Sequence, residues 1–184
     1  MEYAQAREHI NTGDLISVRT AHSLINRLTQ FFTGTYTHSG QALWMAGRLW
    51  VTELNGGRNH LIPLSQWEGV EFDVHAHPDG LTAKAMEAAI LNNLGKKVDY
   101  GYSALIAIGL IEWLKLSLVV KWNKILVCSG YCVKNWQDAG WREGASRIIS
   151  PTKLAGMVRF KFSVTVPPSP RILLSSVRDP LQVA

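Results

Sequence analysis

Cysteine is scarce in this chain of 184 residues, which contains only Cys128 and Cys132. Two cysteines cannot build the framework of several disulfides that stabilises small secreted domains. A bond between residues i and i+4 of one helix would also stabilise little, because the helix already fixes that short loop. A structural zinc site with two cysteines would need histidines to complete it. We therefore expect two free thiols in a reducing compartment.

Long uncharged hydrophobic runs are also lacking. The most apolar stretch, residues 100–120, is interrupted by Glu112 and Lys115, whereas a membrane-spanning helix needs about 20 consecutive apolar residues. The first residues, MEYAQAREHINTGD, carry acids early and have no apolar centre, so they do not resemble a secretory signal. We expect a cytoplasmic protein, or one exported by a non-classical route such as a secretion system or a phage.

The chain has no dense basic run, although 19 Lys and Arg against 14 Asp and Glu give a net charge of +5. This balance favours anionic partners, but the scattered charges argue against a nucleic-acid partner. A glycine-rich phosphate loop is also missing, which argues against a nucleotide cofactor. The composition, 47% hydrophobic and 18% charged, is typical of one globular domain.

Hydrophobic periodicity predicts a mixture of helices and antiparallel strands, which is the α+β class. Strands are predicted at residues 13–18, 37–45, 48–54, 69–77 and 158–166, and a loop at 56–67. Helices are predicted at residues 21–34, 81–95, 103–120, 128–140 and, after a turn, within 149–157. We assign residues 1–162 to a single domain and residues 163–184 to a proline-rich C-terminal tail.

The hairpin of residues 37–54 places two polar side chains together. A two-residue turn at 46–47 puts Glu53 opposite Gly40, so that His38 and Glu53 become diagonal neighbours on one face. A three-residue turn would move Glu53 to the other face. His38 can then act as a base that Glu53 orients. Alternatively, Glu53 is a solvated hairpin residue and His38 an ordinary polar one.

Cys128 follows a short apolar run and stands at the predicted start of a helix. Unpaired backbone N–H groups and the positive end of the helix dipole stabilise a thiolate at such a position. The same N–H groups can hold the oxyanion of an acyl transfer. Burial as a small core residue is the alternative for Cys128. Cys132 lies one turn further on, away from the helix start, and we interpret it as a core residue.

A second histidine cluster occurs in DVHAHPD, where His75 and His77 alternate onto one strand face before Asp79. Two histidines and a carboxylate can form part of a metal site. A third ligand is not assigned, and an exposed strand end is the ordinary interpretation of this pattern. Both interpretations stay open from the residues alone.

The segment at 103–120 has apolar residues all around the predicted helix. Such a helix is buried on several sides or faces an apolar partner. It precedes Cys128 in the chain, so we predict either a lid over the thiol that contacts substrate, lipid or a membrane surface, or a plain core helix.

The order GDLI, THSG, VTEL, LGKKVDYGY, VCSGYCV and ISPTKLA resembles the circularly permuted NlpC-type papain-like cysteine hydrolases. This is the YiiX-like group, related in fold to lecithin:retinol acyltransferase. The likeness spans about residues 13–160 and implies a permuted papain-like fold, with an antiparallel sheet or small barrel packed against helices. It implies Cys128 as nucleophile, His38 as base and Glu53 as orienting residue. The residue two places after the nucleophile is usually acidic in that group and is Gly130 here.

The resemblance implies cleavage or transfer at an amide or ester carbonyl through an acyl-enzyme, with no cofactor and no metal. A peptidase or amidase acting on peptides, most readily on peptidoglycan fragments, is the first expectation. A lipid-directed acyl hydrolase or acyltransferase, favoured by residues 103–120, is the alternative. A binding module that retains the fold without catalysis is the third. The sequence leaves the bond, the acceptor and the oligomeric state open.

Overall fold

The structure is a computed structural model that describes residues 1–19, 34–55, 58–67, 69–96, 99–100, 125–142 and 149–166. The described strands are β1 (Leu15–Val18), β2 (His38–Met45), β3 (Arg48–Asn55), β4 (Arg58–Pro63), β5 (Glu71–His75), β6 (Asp99–Tyr100), β7 (Ile125–Leu126) and β8 (Phe160–Thr165). The described α-helices are α1 (Tyr3–Ala6), α2 (Ala83–Asn93), α3 (Cys128–Asp138) and α4 (Pro151–Gly156), and short 3-10 turns occupy Arg7–His9 and Leu64–Gln66.

Six of these strands form one antiparallel sheet in the order β4-β3-β2-β1-β5-β8. Strands β6 and β7 form a separate parallel pair of two residues each. The sheet with its packed helices confirms the α+β class predicted from periodicity. Strand β8 extends to Thr165, three residues into the segment assigned to the tail.

Side chains alternate between two buried faces of the sheet, because successive strand residues point to opposite sides. One face, here the N-terminal face, is covered by the N-terminal segment and the turn at Leu64. Its buried core comprises Ala6, Ile10, Ile16, Val18, Ala42, Leu49, Val51, Leu64, Phe72, Val74, Val164 and Val166. The other, here the helix face, packs against α2, α3 and α4. Its core comprises Leu15, Leu43, Met86, Ile90, Cys132, Val133, Trp136, Ile149, Leu154 and Ala155.

The turn between β2 and β3 has the two residues that the hairpin prediction requires. Ala46 and Gly47 have φ of 50° and 71°, which is the left-handed pair of a type I′ turn. The strands pair Met45 with Arg48 and Gly40 with Glu53. The predicted register is therefore confirmed.

Polar side chains hold helix α3 at one position across the sheet. The Gln41 side chain donates to the Cys132 carbonyl at 3.1 Å and accepts from the Asn135 amide at 2.7 Å. The Trp136 indole donates to the Gly13 carbonyl at 3.1 Å. These groups are buried, so each bond lost would leave a costly unpaired partner. The helix is thus prevented from sliding along β2.

The prediction of a loop at residues 56–67 is wrong in part, because Arg58–Pro63 forms the edge strand β4. Its side chains are exposed or only half-buried, which weakens the hydrophobic signal of a strand. Pro63 is tolerated as its last residue because an edge strand leaves some N–H groups unpaired. The short helix α1 near the N-terminus was not predicted either.

Several predictions concern residues outside the described ranges. They are the helix at 21–34, of which only Gly34 is described, the apolar helix at 103–120, and the tail beyond residue 166. Within the described ranges, no helix has the length and hydropathy required to cross a bilayer.

Replacing Gly40 with Ala should destabilise the fold by about 1–3 kcal/mol, as overpacking does. A Cβ there would lie 2.7 Å from Val51 Cγ2 and 3.0 Å from the Thr52 carbonyl oxygen. Denaturant unfolding measures the change. Gly156→Ala is the matched control, since its added Cβ meets nothing within 4 Å apart from its chain neighbours and its own helix backbone. Equal stability of the two variants would contradict the close approach at Gly40.

Candidate active site

Cys128 is the first residue of α3, and one residue, Val127, separates it from the short strand β7. The N-cap residue, Val127, is extended, and no side chain among the described residues caps this helix end. The Ser129 hydroxyl bonds to the Ile149 carbonyl and anchors the first turn. The Ser129 backbone N–H donates to the Cys128 sulfur. The predicted position of the cysteine at a helix start is confirmed.

The sulfur lies where the pairing of β2 with β3 ends. Gly40 and Glu53 are the last pair of that ladder, and the next pair in register, Ser39 with Leu54, is not formed between these two described residues. The Ser39 backbone N–H donates to the Cys128 sulfur instead. We call this position the ladder opening. At the ladder opening, Cys128 of α3 contacts Ser39 of β2, the residue that follows His38.

His38 and Glu53 meet on the N-terminal face, next to the ladder opening. The His38 Nε2 and Glu53 Oε2 atoms are 2.5 Å apart, and the two side chains are 23% and 10% exposed. Gly40, opposite Glu53, carries no side chain that could separate them. The His38 ring also hydrogen-bonds to Cys128. Because Nε2 is engaged by Glu53, Nδ1 is the nitrogen that faces the sulfur.

The charges of this cluster favour a thiolate beside an imidazolium. Burial opposes ionisation of the Cys128 thiol, but the charge and hydrogen bond of His38 and two backbone N–H groups outweigh it and lower the pKa of Cys128. Burial likewise opposes the charged form of His38, yet the Cys128 sulfur and Glu53 raise the pKa of His38 to about 10. Burial raises the pKa of Glu53, but His38 and the nearby His60 outweigh it and lower that pKa.

Cys132 has none of these partners. It is fully buried in the core of the helix face, and burial together with the neighbouring Cys128 raises the pKa of its thiol well above the ordinary value. Its interpretation as a core residue is confirmed.

The second histidine cluster differs from both of its sequence interpretations. His75 is 4% exposed and packs edge-on against the rings of Tyr36 and Phe160, so it is not an exposed strand end. The His77 Nδ1 donates to the Pro78 carbonyl at 2.9 Å. Within the described ranges, no three His, Cys, Asp or Glu side chains are grouped so that they could hold a metal ion.

Two features of the site were missed by sequence reasoning. One is the Ser39 N–H bond to sulfur, which depends on the contact between β2 and α3. The other is His60, the exposed cross-strand partner of Glu53 on β4. The alternation of β4 would have revealed His60 if that segment had been recognised as a strand.

Comparison with solved structures finds a likeness to the metalloprotein YiiX from Escherichia coli O157:H7. The TM-score is 0.61 and the sequence identity 19%, with 83% of this chain and 97% of that chain covered. Neither the protein-family models nor the curated proteins give a match. At this identity the likeness concerns the fold alone, and the chain therefore has a YiiX-like fold.

Cys128 should react with iodoacetamide much faster than Cys132 at pH 6.5, because the thiolate is the reacting form and only Cys128 has a lowered pKa. Peptide mass mapping of the native protein measures the label on each cysteine. His38→Ala removes the positive charge, so labelling of Cys128 should slow at pH 6.5 and recover at high pH. Preferential labelling of Cys132 in the unaltered protein would refute the assignment.

The contribution of the Cys128–His38 pair to stability should be flat just below pH 9 and fall as the pH rises towards 10. In the unfolded chain His38 and Cys128 titrate near their ordinary values of 6.5 and 9.0. In the window above pH 6.5 and between the lowered pKa of Cys128 and pH 9.0, the unfolded pair and the folded pair each bind one proton. Above pH 9.0 the unfolded pair binds none, whereas the folded pair keeps one proton up to about pH 10. Unfolding therefore takes up no proton inside the window and releases one above it.

The measurement is denaturant unfolding of the unaltered protein and of a Cys128→Ser/His38→Gln double variant across this pH range. The difference in unfolding free energy should show the plateau. A steady slope of about 1.4 kcal/mol per pH unit inside the window would mean that only one of the two pKa shifts exists.

Proposed function

We propose that this protein is a cysteine hydrolase that cleaves an amide bond through an acyl-enzyme on Cys128. The observation that carries the proposal is the environment of the sulfur. It accepts hydrogen bonds from the Ser39 and Ser129 N–H groups and from His38, and His38 is held in turn by Glu53. A nucleophile, a base and an orienting acid in contact are the parts that covalent acyl transfer requires.

The proposed reaction begins with the Cys128 thiolate attacking the substrate carbonyl carbon. A sulfur–carbon bond forms, and the carbonyl electron pair moves to oxygen, where the Cys128 N–H at the helix start stabilises it. The His38 imidazolium gives its proton to the leaving amine as the carbon–nitrogen bond breaks. Water then attacks the thioester, His38 takes its proton, and the carboxylic acid leaves as the thiolate is restored. Glu53 stabilises the imidazolium throughout.

The substrate that we propose is a peptide, most readily a fragment of peptidoglycan. The order of short motifs along the chain, which resembles the permuted NlpC-type papain-like hydrolases, supports this choice. The net charge of +5 suits an anionic polymer such as a bacterial wall. That the chain is related to papain-like hydrolases is likewise a proposal, which rests on these motifs.

A metal-dependent reaction is the alternative suggested by the description of YiiX as a metalloprotein. The described residues do not fit a metal centre, since no group of three or more suitable ligands occurs among them. His38 and Glu53 are already engaged with each other, and His77 with a backbone carbonyl. The proposed reaction therefore uses only the side chains and backbone N–H groups around Cys128.

A lipid-directed acyl hydrolase or acyltransferase is the second candidate. Its support is the apolar stretch at 103–120, which lies outside the described residues. The chemistry at Cys128 would be the same, with an ester in place of the amide. The nature of the acyl group bound to the enzyme separates the two candidates.

Rapid denaturation of the protein during turnover, followed by mass spectrometry, should find an acyl group on the peptide that contains Cys128. The library contains muropeptides and long-chain acyl esters. Cys132→Ser should form the same adduct, and Cys128→Ala should form none. His38→Ala should slow turnover by about 10²–10⁴-fold, as expected for loss of a general base, whereas His77→Ala should retain it. Turnover that survives in Cys128→Ala would exclude the proposed mechanism, and a protein without adduct or turnover on either class would be a binding module.

A further inference from the structure

The Ser39 hydroxyl is a buried polar group next to the candidate site. Ser39 is 0% exposed, and its Oγ atom finds no hydrogen-bond partner among the described residues. Leaving a buried hydroxyl without a partner is costly, because its hydrogen bonds to water are lost and not replaced. The residue lies beside the nucleophile, because its own backbone N–H bonds to the Cys128 sulfur.

The alternation of β2 fixes the side of the sheet on which this hydroxyl lies. His38 lies on the N-terminal face with Gly40 and Glu53, so the side chain of Ser39 lies on the helix face. Helix α3 packs on that face, and its uncapped first turn begins at Cys128. The base and the Ser39 hydroxyl therefore flank the ladder opening from opposite faces.

This arrangement matches what acyl transfer requires around a sulfur. The leaving group must point towards His38 to receive its proton, and the carbonyl oxygen must point away from it. On that other side lie the N-terminal end of α3, which favours negative charge, and a hydroxyl whose proton is not used elsewhere.

Other polar side chains near the start of α3 already have hydrogen-bond partners. The Gln41 amide donates to the Cys132 carbonyl, the Ser129 hydroxyl bonds to the Ile149 carbonyl, and Thr52 bonds to Tyr131. Ser17, the cross-strand partner of Ser39, also has an unpartnered buried hydroxyl, but it lies one strand further from the sulfur.

We propose that Ser39 is a catalytic residue whose Oγ–H donates to the oxyanion of the tetrahedral intermediate. The proposal rests on the proposed function. When the sulfur–carbon bond forms and the carbonyl electron pair moves to oxygen, that oxygen receives hydrogen bonds from the Cys128 N–H and the Ser39 hydroxyl. When the intermediate collapses, the carbonyl reforms, the carbon–nitrogen bond breaks, and the Ser39 proton remains on Ser39.

The test compares two reagents for the same thiol, of which only one forms an oxyanion. N-acetylglycinal adds reversibly to a cysteine through its carbonyl, whereas iodoacetamide alkylates sulfur directly. Protection of Cys128 from iodoacetamide by the aldehyde measures aldehyde affinity without knowledge of the natural substrate. Ser39→Ala should weaken this protection at least about 10-fold, since one hydrogen bond to a charged oxygen is worth about 1.5–3 kcal/mol. Alkylation without aldehyde should change by less than about two-fold.

Ser17→Ala is the matched control, because it removes an equally buried and unpartnered hydroxyl from the paired position. It should leave both aldehyde affinity and alkylation unchanged, and Ser39→Thr should restore much of the affinity by returning a hydroxyl. With the trapped substrate, Ser39→Ala should lower kcat by about 10²–10³-fold.

Equal aldehyde affinity in Ser39→Ala and the unaltered protein would overturn the role of Ser39. Equal losses in Ser39→Ala and Ser17→Ala would also overturn it, because they would indicate a packing effect. An unaltered protein that the aldehyde does not protect would argue against any oxyanion site there. Failure of the proposed function is a separate result, namely the lack of an acyl-enzyme and of turnover in the trapping experiment.

Discussion

The candidate site depends on the place where the ladder between β2 and β3 ends, because the backbone N–H of Ser39 there helps to lower the pKa of the Cys128 thiol. In a regular hairpin that N–H would pair with Leu54, and no sulfur could lie there. Because the ladder ends at Gly40 and Glu53, a donor is left at the end of β2, next to His38. The thiolate satisfies that donor, and the donor stabilises the thiolate. The sulfur thus gives the unpaired Ser39 N–H a partner, and that N–H reduces the cost of burying a negative charge on the sulfur.

The opening is useful only if helix α3 delivers its first residue to it. The Gln41 side chain binds α3 at two points, Cys132 and Asn135, one and two turns beyond the thiol. Since Gln41 and His38 lie on the same strand, β2 positions both His38 and the helix that carries Cys128. A shift of about 1 Å between reacting groups can cost 10²-fold in rate, which explains why a buried polar contact is placed here rather than apolar packing alone.

The parts of the site that local chemistry determines were predictable from the sequence. Ala46-Gly47 sets the parity of the hairpin, so the contact of His38 with Glu53 follows from counting residues. The start of α3 at Cys128 follows from an apolar run that gives way to a helical pattern. Contacts between distant segments were not predictable. Nothing local indicates that Ser39 meets Cys128, or that His75 is covered by Tyr36 and Phe160. Edge strand β4 was missed because its side chains are exposed or only half-buried, which weakens the hydrophobic signal of a strand.

The charges at the site are tolerated because each one has a partner. Two unit charges about 4 Å apart attract by about 4 kcal/mol at an effective dielectric constant of 20, which is comparable to the cost of removing one ion from water. A lone thiolate at the position of Cys128, 3% exposed, would instead take up a proton. His38 offsets that cost, and Glu53 offsets the cost of the charge on His38.

The outermost member, Glu53, lies on β3 across from the exposed His60. The chain of charges therefore runs from the protein interior to the sheet surface, and its net charge stays near minus one while His38 is protonated. In the proposed reaction, Glu53 would remain the partner of the imidazolium in the tetrahedral intermediate, where the sulfur is bonded to carbon and no longer carries a negative charge.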